Sequence, residues 1–115
     1  MQAEFNQEDY DDIEKITKSV TDLFPEFTLD ECDKDVKIRM NYGGSKSIVT
    51  KSIKLTFHLK SNIAFNLSVP EALKAEDNIK SIIPKEYVSC VFINDDIITV
   101  YFVKRDSLPY GEYVE

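Results

Sequence analysis

The run Ser52-Ile53-Lys54-Leu55-Thr56-Phe57-His58-Leu59-Lys60 alternates polar and apolar residues without a break. A period of two places Ile53, Leu55, Phe57 and Leu59 on one face of a β-strand and Lys54, His58 and Lys60 on the other. A strand with one apolar and one wet face belongs to an antiparallel sheet covered on one side only. Two neighbouring runs repeat the pattern. Val36, Ile38 and Met40 alternate with Lys37, Arg39 and Asn41, while Ile63, Phe65, Leu67 and Val69 alternate with Asn62, Ala64, Asn66 and Ser68. Tyr42-Gly43-Gly44-Ser45 and Lys60-Ser61-Asn62 supply the turns between them. Glu26 to Asp35, just upstream, reads as loop or ragged edge strand.

Further out, the pattern changes. Ile13, Ile16, Val20, Leu23 and Phe24 recur at spacings of three and four, which predicts a helix over 7–24 with Asn6 as its cap and Pro25 as its stop. A second helix is expected from Pro70 to about Ile83, with Leu73, Ile79, Ile82 and Ile83 on its inner face. Tyr87 to Ile93 and Ile97 to Val103, joined by Asn94-Asp95-Asp96, are apolar in both phases and predict a hairpin better buried than the first three strands. The expected fold is α+β in the order α-β-β-β-α-β-β. Two helices would pack on one face of a five-stranded, mainly antiparallel sheet. Residues 1–105 form one domain in this reading, and 106–115 a C-terminal tail.

Composition bounds the function. The chain has 115 residues and a net charge of -7, so indiscriminate nucleic-acid binding is unexpected. No apolar run is long enough to cross a membrane, and Met1-Gln2-Ala3-Glu4 lacks the features of a signal peptide. A cytoplasmic location follows as the expectation. Cys32 lies in a charged stretch and Cys90 in an apolar one, so one exposed and one buried thiol are expected rather than a disulfide. Abundant Ile and Lys, 12 of each, match the bias of AT-rich bacterial and phage genomes.

Catalytic chemistry finds little support. The single histidine, His58, falls in the wet phase among lysines, without the ligand spacing of a zinc site or the cleft of a hydrolytic triad. Gly43-Gly44-Ser45-Lys46-Ser47 lacks the first glycine of a phosphate loop and joins two strands rather than a strand and a helix. Asp30, Asp33 and Asp35 lack the spacing of a calcium loop. No catalytic, cofactor or metal residues are assigned, and no enzyme activity is expected.

The charge layout is the remaining signal. Residues 1–35 carry 12 acids and 3 bases, while residues 36–60 hold six Lys and Arg residues and no acid. Carboxylates in a first helical turn stabilise the macrodipole by about 0.3–1 kcal/mol each, a need that one or two would meet. The surplus predicts a protein-binding surface of Glu8, Asp9, Asp11, Asp12, Asp30, Glu31, Asp33 and Asp35. Lys37, Arg39, Lys54, His58 and Lys60 form a second face suited to anions or an acidic partner. The function expected is a non-enzymatic acidic protein-binding module, of inhibitor or adaptor type, docking on a basic surface of a macromolecule. Its partner would be a protein, with neither nucleic acid nor membrane expected. The alternative is a self-associating subunit, acidic half against basic sheet face. In element order the chain resembles the small acidic chaperones of type III secretion, which implies a dimeric α+β protein binding an unfolded segment, although their C-terminal helix is replaced here by the tail.

Overall fold

A computed structural model describes the backbone of residues 5–40, 46–94 and 96–109, and the statements that follow concern those residues. The order is α1 (Gln7–Leu23), β1 (Phe27–Met40), β2 (Lys46–Leu59), α2 (Val69–Ile82), β3 (Val88–Ile93) and β4 (Ile97–Pro109). The strands form one four-stranded sheet in the order β1-β2-β4-β3, and every neighbouring pair is antiparallel. The α+β class and the two helices are as expected. The five strands and their order are not.

The strand expected over Ile63 to Val69 is a loop as far as Ser68, and Val69 already opens α2. Asn62 adopts a left-handed φ of 63°, which Asn tolerates better than most residues and which breaks an extended run. Both sides of β2 are already paired, to β1 and to β4, so the residues that follow it cannot turn back and pair beside it. Phe65 instead drops into an aromatic cluster, edge-on to Phe27 at 4.8 Å and to Phe24 at 5.9 Å. The loss of this strand also removes the element order on which the likeness to secretion chaperones rested.

Each helix begins on a side-chain cap. Asn6 and Asp9 form a reciprocal capping box at α1, and Ser68 and Glu71 do the same at α2, where Pro70 sits in the first turn. Ile16 and Val20 of α1 and Ile79 of α2 are buried against the inner face of the sheet. There they meet Phe27, Ile53, Leu55, Phe57, Val91, Ile98, Val100 and Phe102. Burying each such side chain contributes about 1.5–3 kcal/mol. Leu73, expected on the inner face of α2, is exposed, and so is Leu23.

β1 starts at Phe27, so of the two readings of Glu26 to Asp35 the ragged edge strand is the one found, continuous with the strand expected from Val36. A β-bulge between Leu29 and Glu31 reverses its phase. Before the bulge, Phe27 and Leu29 face inward. After it, Glu31, Asp33 and Asp35 pair with Thr56, Lys54 and Ser52 on the outer face. The closing hairpin, expected to be better buried than the strands before it, has one bare face. No layer covers the outer side of the sheet among the described residues, and Val88 is 79% and Phe92 57% exposed. Cys90, expected to be buried, is exposed beside them for the same reason. β4 continues to Pro109, four residues into the segment read as tail, while Tyr110 and Tyr113 lie outside the described residues.

Candidate functional site

The capping box at α1 carries a second load. The Asp9 N–H donates to Asn6 Oδ1 and the Asn6 N–H donates to Asp9 Oδ2, both at 2.9 Å. The same carboxylate accepts from Lys51 Nζ at 2.9 Å and lies 3.6 Å from Lys104 Nζ. Asp9 is 1% and Lys51 4% exposed, an ion pair shut inside the protein. The Tyr87 hydroxyl, also buried, donates to Asp12 Oδ2 at 3.1 Å and stands 3.4 Å from Asp9 Oδ1. Two carboxylates and two ammonium groups thus close a neutral network between α1, β2 and β4.

Strand phase explains how the lysines arrive there. Lys51 shares the inward phase of Val49, Ile53, Leu55 and Phe57, and Lys104 that of Ile98, Val100 and Phe102. Both stand where the apolar stripe ends and the first turn of α1 lies across it. Lys104 Nζ also lies 5.7 Å from the Tyr87 ring and Lys51 Nζ 6.0 Å from the Phe5 ring. Burial pushes the Asp9 carboxyl upward, but the Asn6 N–H, Lys51 and Lys104 outweigh it and hold the group below its ordinary value. Burial pushes the Tyr87 phenol upward, and the bond to Asp12 and the charges of Asp12, Asp9 and Glu86 push it further. Tyr87 therefore remains a neutral donor.

An acidic cap sits above this network. Glu8, Asp12 and Glu86 each place a carboxylate oxygen so that all three lie within 4.8 Å of one another, with Glu8 and Glu86 exposed. Only Asp12 among them has a recorded donor, Tyr87. Two of the three carboxylates are open to solvent, so the cap can receive a basic side chain from outside. Asp11, next on the helix, accepts from Gln7 Nε2 at 2.9 Å.

The acids expected to form one surface are divided between the two sides of the sheet. Glu8, Asp11 and Asp12 lie at the start of α1 on the helix side, with Asp9 buried beneath them and withdrawn from any surface. Glu31, Asp33 and Asp35 lie on the outer face of β1, and Asp30 sits at the bulge, 3.4 Å from His58 Nε2. They alternate there with the expected basic face. Asp33 pairs in register with Lys54, and Asp35 Oδ2 is 3.9 Å from Lys37 Nζ. Lys60 lies past the end of β2, where its N–H donates to the Glu26 carbonyl. At the far end of the sheet Lys37 and Arg39 line a depression with Ile48, Thr50 and Arg105, a cation that residues 36–60 do not contain.

Lys51, Tyr87, Glu86 and Lys104 are the members of the site that the sequence reading missed. The signal for the lysines was present, since each stands in an apolar phase where a charge must find a partner. Nothing local in the sequence points Tyr87 and Glu86 at α1, some 75 positions away. No helix among the described residues is long and apolar enough to cross a membrane. Comparison of the chain with protein-family models, curated proteins and solved structures finds no match in any of the three.

Proposed function

We propose that this chain is a non-catalytic protein-binding module that docks the acidic cap of Glu8, Asp12 and Glu86 on a basic surface of another macromolecule. The convergence of those three carboxylates carries the reading. Like charges about 4–5 Å apart cost on the order of 1 kcal/mol per pair even in water. Asp9 already satisfies the backbone at the helix start and Asp12 takes the Tyr87 hydroxyl, so Glu8 and Glu86 bring repulsion beyond what the helix start needs. An arginine or lysine from a partner, placed among the three, would convert that cost into attraction. The field of the cap would steer the encounter.

Two features support a binding role of inhibitor or adaptor type over catalysis. Both Asp9 oxygens are engaged by donors inside a neutral, closed network, which leaves no poised acid or base there. Cys32 and Cys90 lie on opposite edge strands, too far apart to bridge within one chain, an arrangement suited to a reducing cytoplasm. The test is amide chemical-shift mapping with an arginine-rich peptide as probe. Shifts confined to residues 7–14 and 85–88, and abolished in Glu8→Lys/Glu86→Lys, are expected. Shifts centred on β1 or the outer sheet face would contradict the reading.

A further inference from the structure

We propose that the free edge of β3 is a self-association surface, on which two copies of this chain pair antiparallel about a twofold axis at Cys90 and join their sheets into one. The inference is independent of the acidic cap.

The strand order leaves two edges, β1 and β3, and they differ in kind. β1 carries Asp30, Glu31, Asp33 and Asp35, and charges of this sort along an edge oppose pairing with a second strand. β3 reads Val-Ser-Cys-Val-Phe-Ile, with no charge, no proline and no bulge. In a chain of net charge -7 this strand is a place where two copies can meet without like charges between them. Its outer face is apolar as well, since Val88 and Phe92 are exposed beside the half-exposed Tyr101 of β4.

Backbone geometry selects the register. The Asn94 N–H donates to the Ile97 carbonyl at 2.8 Å, which makes that pair hydrogen-bonded. Alternation along an antiparallel ladder then turns the backbone groups of Val88, Cys90 and Phe92 toward β4 and those of Ser89, Val91 and Ile93 toward the free edge. The Ile93 N–H confirms the phase, because it donates outside the ladder to Glu76 Oε2 of α2 at 3.0 Å. That carboxylate also withdraws Ile93 from further pairing. Ser89 and Val91 remain as the edge's donors and acceptors.

Only a twofold centred on Cys90 sets Ser89 against Val91 of the partner subunit while leaving Glu76 in place. A centre on Val91 would need the Ile93 N–H. In the selected register Val88 faces Phe92 of the partner subunit, and Cys90 faces its own copy in a non-hydrogen-bonded pair. Lys85 and Glu86 lie in the turn before β3, so no charged side chain of either copy enters the paired ladder. Directly opposed residues of this type lie about 4.5 Å apart at Cα, within the span of about 4.4–6.8 Å that a disulfide bridges.

The experiment is analytical ultracentrifugation of the full chain over a concentration series, with oxidative cross-linking of a Cys32→Ser variant. A monomer–dimer equilibrium is expected, with a covalent dimer forming through Cys90. Val88→Lys/Phe92→Lys should weaken association at least about tenfold, and so should Val88→Glu/Phe92→Glu. An equimolar mixture of the two should restore it, because each lysine then faces a glutamate. A strict monomer throughout, a dimer indifferent to these variants, or a mixture that stays monomeric while both variants keep the native circular dichroism would overturn the proposal. Should a variant fail to fold, the cross-link decides, and its absence counts against the dimer.

Discussion

Asp9 has both oxygens occupied, Oδ2 by the Asn6 N–H and the Lys51 ammonium, and Oδ1 by the approach of Lys104 and the Tyr87 hydroxyl. A buried pair of this kind adds little over an apolar pair of equal volume, yet breaking one partner leaves a charge stranded. Asp9→Asn should therefore cost about 3–5 kcal/mol in denaturant unfolding at neutral pH, and Asp9→Leu/Lys51→Met far less. Acid should erase the difference between wild type and Asp9→Asn. The folded carboxyl sits below the unfolded value of about 3.9, so its contribution is complete above that pH and fades as pH falls through the folded value. Equal stability of the two proteins at neutral pH would show that the pair does not hold α1 to the sheet.

At the scale of elements, α1 was legible almost to the residue because its cap, its periodicity and its proline stop all agree. The segment after β2 was not, because alternation records a phase and not the presence of a free edge. Phe65 shows what took over. It contacts Phe24 and Phe27 edge-on from a loop, tying the end of α1 to the start of β1. Phe65→Ala should destabilise the fold by about 2–3 kcal/mol, less than a fully buried aromatic because Phe65 is only partly buried, with the far-UV spectrum intact. A loss under 1 kcal/mol would mean that the loop is only draped over the core. The bulge in β1 did leave a trace in the sequence. Phe27 and Leu29 are apolar at odd positions and Val36 and Ile38 at even ones, and a single strand reconciles the two phases only by inserting a residue.

Over the whole molecule, proportions follow from the rise per residue. Strands of 14 residues run about 46 Å, against about 26 Å for the 17-residue α1, so the sheet outreaches its helices. The measured extents of 54 × 24 × 17 Å describe that ribbon. A count of charges along the chain suggests opposite electrical ends. In space the acids of β1 mingle with Lys37, Lys54 and His58 on the outer face, and the cluster at α1 stands apart from them. In the proposed docking, long-range attraction to a basic partner would therefore rest on Glu8, Asp11, Asp12 and Glu86. The direct measurement is the association rate of an arginine-rich peptide in a series of salt concentrations, for the native chain and for Glu8→Lys/Glu86→Lys. The expected rate falls steeply from low to physiological salt for the native chain, with a slow, nearly flat response for the variant. A native rate indifferent to salt, or a variant that matches it, would rule out steering by the acidic cap.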